Sequence, residues 1–218
     1  MPPKHTVLAF GTSAAHCAVA LLCGDAVLAQ DCESMSRGQA ESLFGIIERV
    51  MEQAHVGWRD IDAIGTGTGP GNFTGVRLSV SAARGLSLAL DCPAIGVSTL
   101  QAQAYELGEN TLSTVDARQN HVYQQVFGRQ TTSAPLRLGI ADITVATHGD
   151  IITCVGHGAE NLAQTLGATH RSPKHPLAEA IARLAHGRVG SDHGRPAPLY
   201  LHEPDAVPGN RVPLRILP

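Results

Sequence analysis

The amino-acid sequence predicts a mixed α/β fold in which helices cover both faces of a sheet. Short apolar segments end at polar turns, and two longer segments between them repeat their apolar residues at helical spacing. In the first half of the 218 residues the predicted order is three strands, a helix, a strand, a helix and a strand. This alternation is typical of a sheet packed between helices.

The first predicted strand is "TVLAF", which ends at the polar turn Gly11-Thr12-Ser13, and a hairpin with its turn at Gly24-Asp25 follows it. The first helix is predicted within residues 37–56, because an apolar residue recurs there every three or four positions, at Leu43, Ile47, Val50 and Ala54. Phe44 and Met51 widen this apolar stripe beyond what one packing surface needs. The second helix is predicted from Gly75 to Leu90.

The second half has a different texture. Two strands are predicted around a turn at Arg118 to His121, and a strand-like segment broken by glycines covers residues 142–162. A helix is predicted within residues 176–189, with Gly187 as its stop signal. The proline-rich tail, residues 194–218, is predicted to be extended.

Composition and charge exclude several function classes. The net charge of −3 provides no overall basic field for nucleic acid or an anionic membrane, and 4% aromatic residues leave few stacking platforms for single strands. Five cysteines without a CxxC pair indicate free thiols in a reducing compartment. Neither a membrane span nor a signal peptide is apparent, so a cytoplasmic protein without membrane contact is predicted.

The stretch "GTGTGPGNFTG", residues 65–75, is the most prominent motif. It is not a Walker A loop because no lysine follows its glycines, and no register of the glycines forms GxGxxG. It predicts a turn from a strand into a helix whose N-cap is Asn72. Two interpretations stay open: a structural turn, or a nucleotide-binding loop in which the helix N-terminus and the hydroxyls of Thr12 and Ser13 bind an anion weakly.

Small residues on the second predicted helix permit close approach of another element. They include Ser79, Ala83 and Gly85. Packing against the chain's own sheet is one explanation. The other is a partner surface formed with the Phe44 and Met51 side of the first helix, and the pattern alone does not decide between them.

Four segments resemble the bacterial TsaB (YeaZ) family of tRNA threonylcarbamoyladenosine biosynthesis: "LAFGTSAAHCAVAL", "GTGPGNFTGVRLSVSAARGLSLAL", "VDARQNHVYQQVF" and "PLYLHEPDA". The most specific part is the turn Gly69, Pro70, Gly71, Phe73, Thr74 and Gly75; Asp116, Arg118 and Tyr123 form a second motif. The resemblance implies an actin-like (ASKHA, ribonuclease H-like) fold of two related subdomains, residues 1–104 and 105–218. The second is reduced, and a helix near 175–188 is free to pack back on the first.

The resemblance also implies a function. Such a protein is a non-catalytic subunit that forms a heterodimer with a TsaD-like transferase, with a TsaE-like ATPase in the assembled complex. The complex places threonylcarbamoyl on N6 of adenosine 37 in tRNAs that read codons beginning with A, and tRNA is met only through the complex. A weak homodimer is expected without the partner. The predicted partner interface comprises Phe44, Ile47, Met51, Ser79, Ala83 and Arg84.

Three positions lack the residues that catalytic relatives use for metal or nucleotide, which also favours a non-catalytic subunit. Thr99 and Gln103 stand where the transferase has its two metal-binding histidines, and Gly11 stands where nucleotide-using relatives have a carboxylate. No serine lies in a GxSxG motif, which disfavours a peptidase. The sequence therefore predicts no catalytic residue, metal or cofactor. The alternatives are a small ATP-dependent kinase of the same fold and a stand-alone tRNA-binding module.

Overall fold

The computed structural model describes residues 4–128 and 132–201. Within these ranges, two five-stranded sheets follow one another along the chain. The first has the order β3-β2-β1-β4-β5, with the strands β1 (Thr6–Gly11), β2 (His16–Cys23), β3 (Ala26–Ser34), β4 (Ala63–Gly67) and β5 (Ala94–Val97). β1 is antiparallel to β2 and parallel to β4. The hairpin predicted at Gly24-Asp25 joins β2 to β3 and is confirmed.

Helices cover both faces of the first sheet: α1 (Gln39–Ala54) and α2 (Phe73–Leu90) on one face, and α6 (Leu177–His186) on the other. Alternate side chains of β1 show this, because neighbours in a strand point to opposite faces. Leu8 and Phe10 pack in the cluster that contains α1, whereas Ala9 packs with Ile181 of α6. The α/β fold class and the element order of the first half are confirmed.

The second sheet has the order β10-β9-β6-β7-β8 and is covered by α5 (Ala159–Leu166). Its strands are β6 (Thr111–Asp116), β7 (His121–Phe127), β8 (Leu136–Gly139), β9 (Thr153–Gly156) and β10 (Thr169–His170). The two strands predicted around Arg118 to His121 are β6 and β7, so that prediction is confirmed. The other short elements are 3₁₀ turns at Trp58–Asp60 and Ile140–Asp142 and the helices α3 (Thr99–Ala104) and α4 (Val145–His148).

The strand-like interpretation of residues 142–162 is wrong outside β9. Helix α4 lies within this segment, and helix α5 begins within it and continues past its end. Helix α5 places Leu162 and Leu166 on the core of the second sheet, at a spacing typical of a helix. Gly158 and Gly167 adopt left-handed conformations at its two ends. Gly158, taken as a break between strands, is the N-terminal boundary of a helix, and Gly167 is its C-terminal boundary.

The C-terminal part of the described chain returns to the first sheet. α6 contacts β1, β2 and β4 although it follows the second sheet in sequence. Residues 192–201 form neither helix nor strand, and the rest of the predicted extended tail, residues 202–218, lies outside the described residues. Within the described chain, no helix is long and apolar enough to cross a membrane. The division at residues 104 and 105 stays a prediction.

Candidate functional site

The glycine turn between β4 and α2 begins the candidate site. Gly69 adopts a left-handed conformation, which glycine reaches without a steric penalty. Asn72 is the N-cap of α2, as predicted, and its side-chain oxygen accepts a hydrogen bond of 3.1 Å from the Gly75 amide. A side chain at position 75 would place its Cβ 1.8 Å from the Thr12 carbonyl oxygen. Glycine is therefore required where the turn after β1 meets α2.

Thr12 and Ser13 close that contact with hydrogen bonds. Thr12 Oγ1 donates to the Gly75 carbonyl at 2.6 Å, and the Ser13 carbonyl accepts from the Asn72 amide at 2.6 Å. Ser13 Oγ lies 3.3 Å from the hydroxyl of Thr99, and both Thr12 and Ser13 are buried. The hydroxyls considered for anion binding thus bond to the chain itself. This geometry favours the structural interpretation of the glycine turn.

The positions that match the transferase's metal-binding histidines join elements together. The Thr99 amide donates to the Gly69 carbonyl at 2.7 Å, which attaches α3 to the glycine turn. Gln103 Oε1 accepts a 3.1 Å hydrogen bond from Ser113 Oγ, which attaches α3 to the second sheet. Among the described residues, no group of three or more histidine, cysteine or acidic side chains is arranged to hold a metal ion.

Four residues of the predicted partner interface lie in the protein's own core, and their assignment as surface contacts is corrected. Ile47, Met51, Ser79 and Ala83 are buried, and Ser79 Oγ donates to the Gly67 carbonyl at 2.9 Å. Their stripes of α1 and α2 face the first sheet, so the small residues of α2 permit close packing on that sheet. Phe44 is 44% exposed and Arg84 is also exposed. The existence of a partner interface stays a prediction, and of the six predicted contacts only Phe44 and Arg84 are exposed enough to take part in it.

A groove of about 700 Å³ lies at the end of α1. Glu48, Met51 and His55 line it, together with Trp58 after the helix. Glu48 and Met51 lie four and seven residues after Phe44, which places them on the same side of α1, and His55 is the left-handed C-cap that follows the helix. An exposed phenyl ring and an open groove therefore share that side.

On α2, Arg77 contacts two aromatic rings that also contact each other. Its guanidinium carbon is 3.7 Å from the Phe73 ring centroid and 5.6 Å from that of Tyr200. Arg77 Nε donates a 2.7 Å hydrogen bond to the Tyr200 hydroxyl, and the two rings are 5.0 Å apart. Sequence reasoning missed Arg77, although its spacing of four from Phe73 was a signal. No local signal pointed to Tyr200.

The segment that carries Tyr200 is a strap, defined as residues 196–200. The Pro196 carbonyl accepts a 2.8 Å hydrogen bond from Arg84 Nε, and the Leu199 amide donates to the Thr68 carbonyl at 2.9 Å. Pro196 is buried beside Gly96 of β5. The strap thereby connects β5, the glycine turn and the side of α2 that carries the two arginines.

The second sequence motif forms the end of the β6–β7 hairpin. Asp116 Oδ1 accepts a 2.9 Å hydrogen bond from the Arg118 amide, and Tyr123 pairs with Val115 in the ladder. Arg118 and the two residues after it have φ values of 62°, 50° and 59°. Non-glycine residues seldom adopt this left-handed conformation. The motif builds a tight exposed turn, and its functional role stays a prediction.

This architecture is that of the actin-like (ASKHA) proteins. Component A of (R)-2-hydroxyglutaryl-CoA dehydratase from Acidaminococcus fermentans shares the fold, with a TM-score of 0.55 at 11% identity over 85% of this chain and 99% of that one. YeaZ from Pseudomonas aeruginosa is more similar, with a TM-score of 0.72 and 28% identity over 90% of this chain and all of that one.

Sequence comparisons identify the family. The model of TsaD, tRNA N6-adenosine threonylcarbamoyltransferase, matches residues 32–135. The tRNA threonylcarbamoyladenosine biosynthesis protein TsaB of Haemophilus influenzae is 37% identical over 54% of this chain and 52% of its own length. TsaB of Escherichia coli is 32% identical over 56% and 55%. The chain thus spans about half the length of these curated relatives, and it belongs to the TsaB/YeaZ family.

Proposed function

We propose that this chain is a non-catalytic subunit in the synthesis of threonylcarbamoyladenosine on tRNA and acts by forming a heterodimer with a TsaD-like transferase. The observation that carries the proposal is the similarity to TsaB proteins, whose names state that biosynthesis. The proposed product is threonylcarbamoyl on N6 of adenosine 37, made with a TsaE-like ATPase in the same complex. tRNA is reached only through that complex.

The non-catalytic part of the proposal is supported by the glycine turn. Relatives that use a nucleotide place a carboxylate at the end of the first strand, where this chain has Gly11. The adjacent Thr12 and Ser13 are buried and hydrogen-bonded to the α2 end of the turn. A phosphate group at this position would have to displace those bonds, so the turn supports a structural role better than the alternative kinase activity.

The heterodimer part is supported by the outer sides of α1 and α2. Phe44 is 44% exposed on α1, and Leu88 is 87% exposed on α2. Full burial of a side chain of this size contributes about 1.5–3 kcal/mol, so Leu88 would contribute most of that value on association and the half-buried Phe44 about half of it. The groove beside Trp58 adds a concave feature on the same side of α1 as Phe44. In the absence of the transferase, the same surfaces are expected to form a weak homodimer.

Reconstituted threonylcarbamoyl transfer tests the proposal. Unmodified tRNA, the transferase and the ATPase are combined with this chain present or omitted, and the modified nucleoside is quantified. Modification is expected only when the chain is present, and the chain alone is expected to be inert. Full modification without it contradicts the proposal. Magnesium-dependent ATP binding by the isolated chain at micromolar affinity would instead favour the kinase.

A further inference from the structure

We propose that the strap positions Arg77 and Arg84 of α2 to receive carboxylates of the transferase partner. The proposal rests on the proposed function. It assigns the strap the role of an orienting device for two cationic contacts on a helix surface, which neither α2 nor the strap provides alone.

Each arginine has its Nε bonded to the strap. Arg77 Nε donates to the Tyr200 hydroxyl, and Arg84 Nε donates to the Pro196 carbonyl. A guanidinium group has five N–H donors in a planar fork, so the four donors on its two terminal nitrogens are left over in each case. The strap therefore restrains the plane of both groups by using Nε, and the end-on edge formed by the two terminal nitrogens still has both donors for a bidentate carboxylate.

The spacing of the two arginines suits a helical partner. They are seven residues apart, which is about two turns and about 10 Å along the helix axis. At that spacing they lie on the same side of α2. Carboxylates seven residues apart on a neighbouring helix match this distance, because the same geometry applies to both helices.

Charge and exposure favour a protein carboxylate as the occupant. Within the described part of the chain, neither Arg77 nor Arg84 forms an ion pair with a carboxylate. Exposed apolar side chains flank them, Phe73 at 40% and Leu88 at 87% exposure. Arginine and aromatic residues are enriched at protein interfaces, so this combination is typical of one. The net charge of −3 disfavours a polyanion such as tRNA as the occupant.

Restraint of the two side chains explains why the strap matters for affinity. A free arginine loses much rotamer freedom when it binds, and a group held in its bound geometry loses less. Tyr200 holds Arg77 through the hydroxyl bond, while Phe73 stacks on the guanidinium plane. Tyr200 is accordingly a positioning residue, since it acts through Arg77.

The test measures the affinity of the full-length chain for the TsaD-like transferase as a function of salt. Arg77→Ala and Arg84→Ala are each expected to weaken binding about tenfold at low salt and to reduce its salt dependence, because an ion pair is lost. Arg77→Lys keeps the charge without the fork and is expected to recover only part of the affinity. Arg171→Ala, which removes an exposed arginine beyond β10, is the matched control with unchanged affinity.

Tyr200→Phe tests the strap itself, because it keeps the ring and removes the acceptor for Arg77 Nε. It is expected to weaken binding about threefold to tenfold without a change in thermal unfolding, and to have no further effect when Arg77 is already alanine. If the wild type binds the transferase and these variants bind equally well, the proposal is overturned while the proposed function stands. Variants that lower only tRNA retention by the assembled complex also overturn it. If the wild-type chain does not bind the transferase at all, the heterodimer in the proposed function is overturned, and the proposal about the strap falls with it.

Discussion

Thr12 and Gly75 are joined by a 2.6 Å hydrogen bond from the Thr12 hydroxyl to the Gly75 carbonyl, and the Thr12 carbonyl lies directly against the Gly75 α-carbon. The turn after β1 and the first turn of α2 therefore touch backbone to backbone. In this chain the contact gives the family's glycine motif a packing role.

Gly75→Ala is expected to destabilise the fold by at least about 2 kcal/mol, because the added methyl group meets backbone and not a flexible side chain. Urea unfolding measures the change. Gly85→Ala in the same helix is the control: nothing lies within 4 Å of the added atom, and a gain of about 0.5–1 kcal/mol is expected from helix propensity. Equal effects at both positions would contradict the close contact.

Thr12→Val is expected to cost about 1–2 kcal/mol, because a buried hydrogen bond to the Gly75 carbonyl is lost while the shape of the side chain is kept. Unfolding in urea measures this as well. Thr74→Val, at an exposed position of the first turn of α2, is expected to change the unfolding free energy by less than about 0.5 kcal/mol. No difference between the two variants would show that the Thr12 hydroxyl does not stabilise the turn.

The Phe44→Asp variant is expected to lose affinity for the transferase, whereas the Met51→Asp variant is expected to lose stability. Phe44 is exposed, so its aspartate variant should fold normally and lose affinity for the transferase. Met51 is buried in the main core, so a carboxylate there should destabilise the fold by about 3 kcal/mol or more. Thermal unfolding and a binding titration separate the two effects.

Gln53→Asp, on the other side of α1 from Phe44, is the control for binding and should leave affinity unchanged. Unaltered affinity in the Phe44→Asp variant would remove α1 from the proposed interface. Normal stability in the Met51→Asp variant would contradict the burial of that side chain.

The carboxyl of Glu106 is expected to titrate at low pH. A hydrogen bond from Lys174, and a second from His175, lower its pKa from the ordinary value of 4.5 to about 2. A lowered folded-state pKa stabilises the fold above the unfolded value, and that contribution is lost as the pH falls from about 4.5 to about 2. Carboxyl chemical shifts measured across this range follow the titration.

Lys174→Ala removes the largest cause and is expected to raise the pKa of Glu106 toward its ordinary value. The wild-type stability should then exceed that of Lys174→Ala at pH 6, and the difference should shrink as the pH approaches 2. A pKa near 4.5 in both proteins would rule out the contact in solution.

Local patterns predicted some features well because their physical causes are local. The hairpin at Gly24-Asp25 follows from turn chemistry, and the Asn72 cap follows from a side chain that reaches an amide three residues away. Helix α5 was missed although its apolar spacing is regular, because its flanking glycines also suit breaks between strands.

The amino-acid sequence by itself determined the α/β class, the order of elements in the first half, the glycine turn and the family motifs. Only the tertiary structure decided which apolar residues are available to a partner. Phe44 and Ile47 belong to the same broad stripe, and the position of the sheet buries Ile47 and leaves Phe44 exposed. The Arg77–Tyr200 contact spans 123 positions. No local period encodes such a pair, because it forms only when the strap folds back over α2.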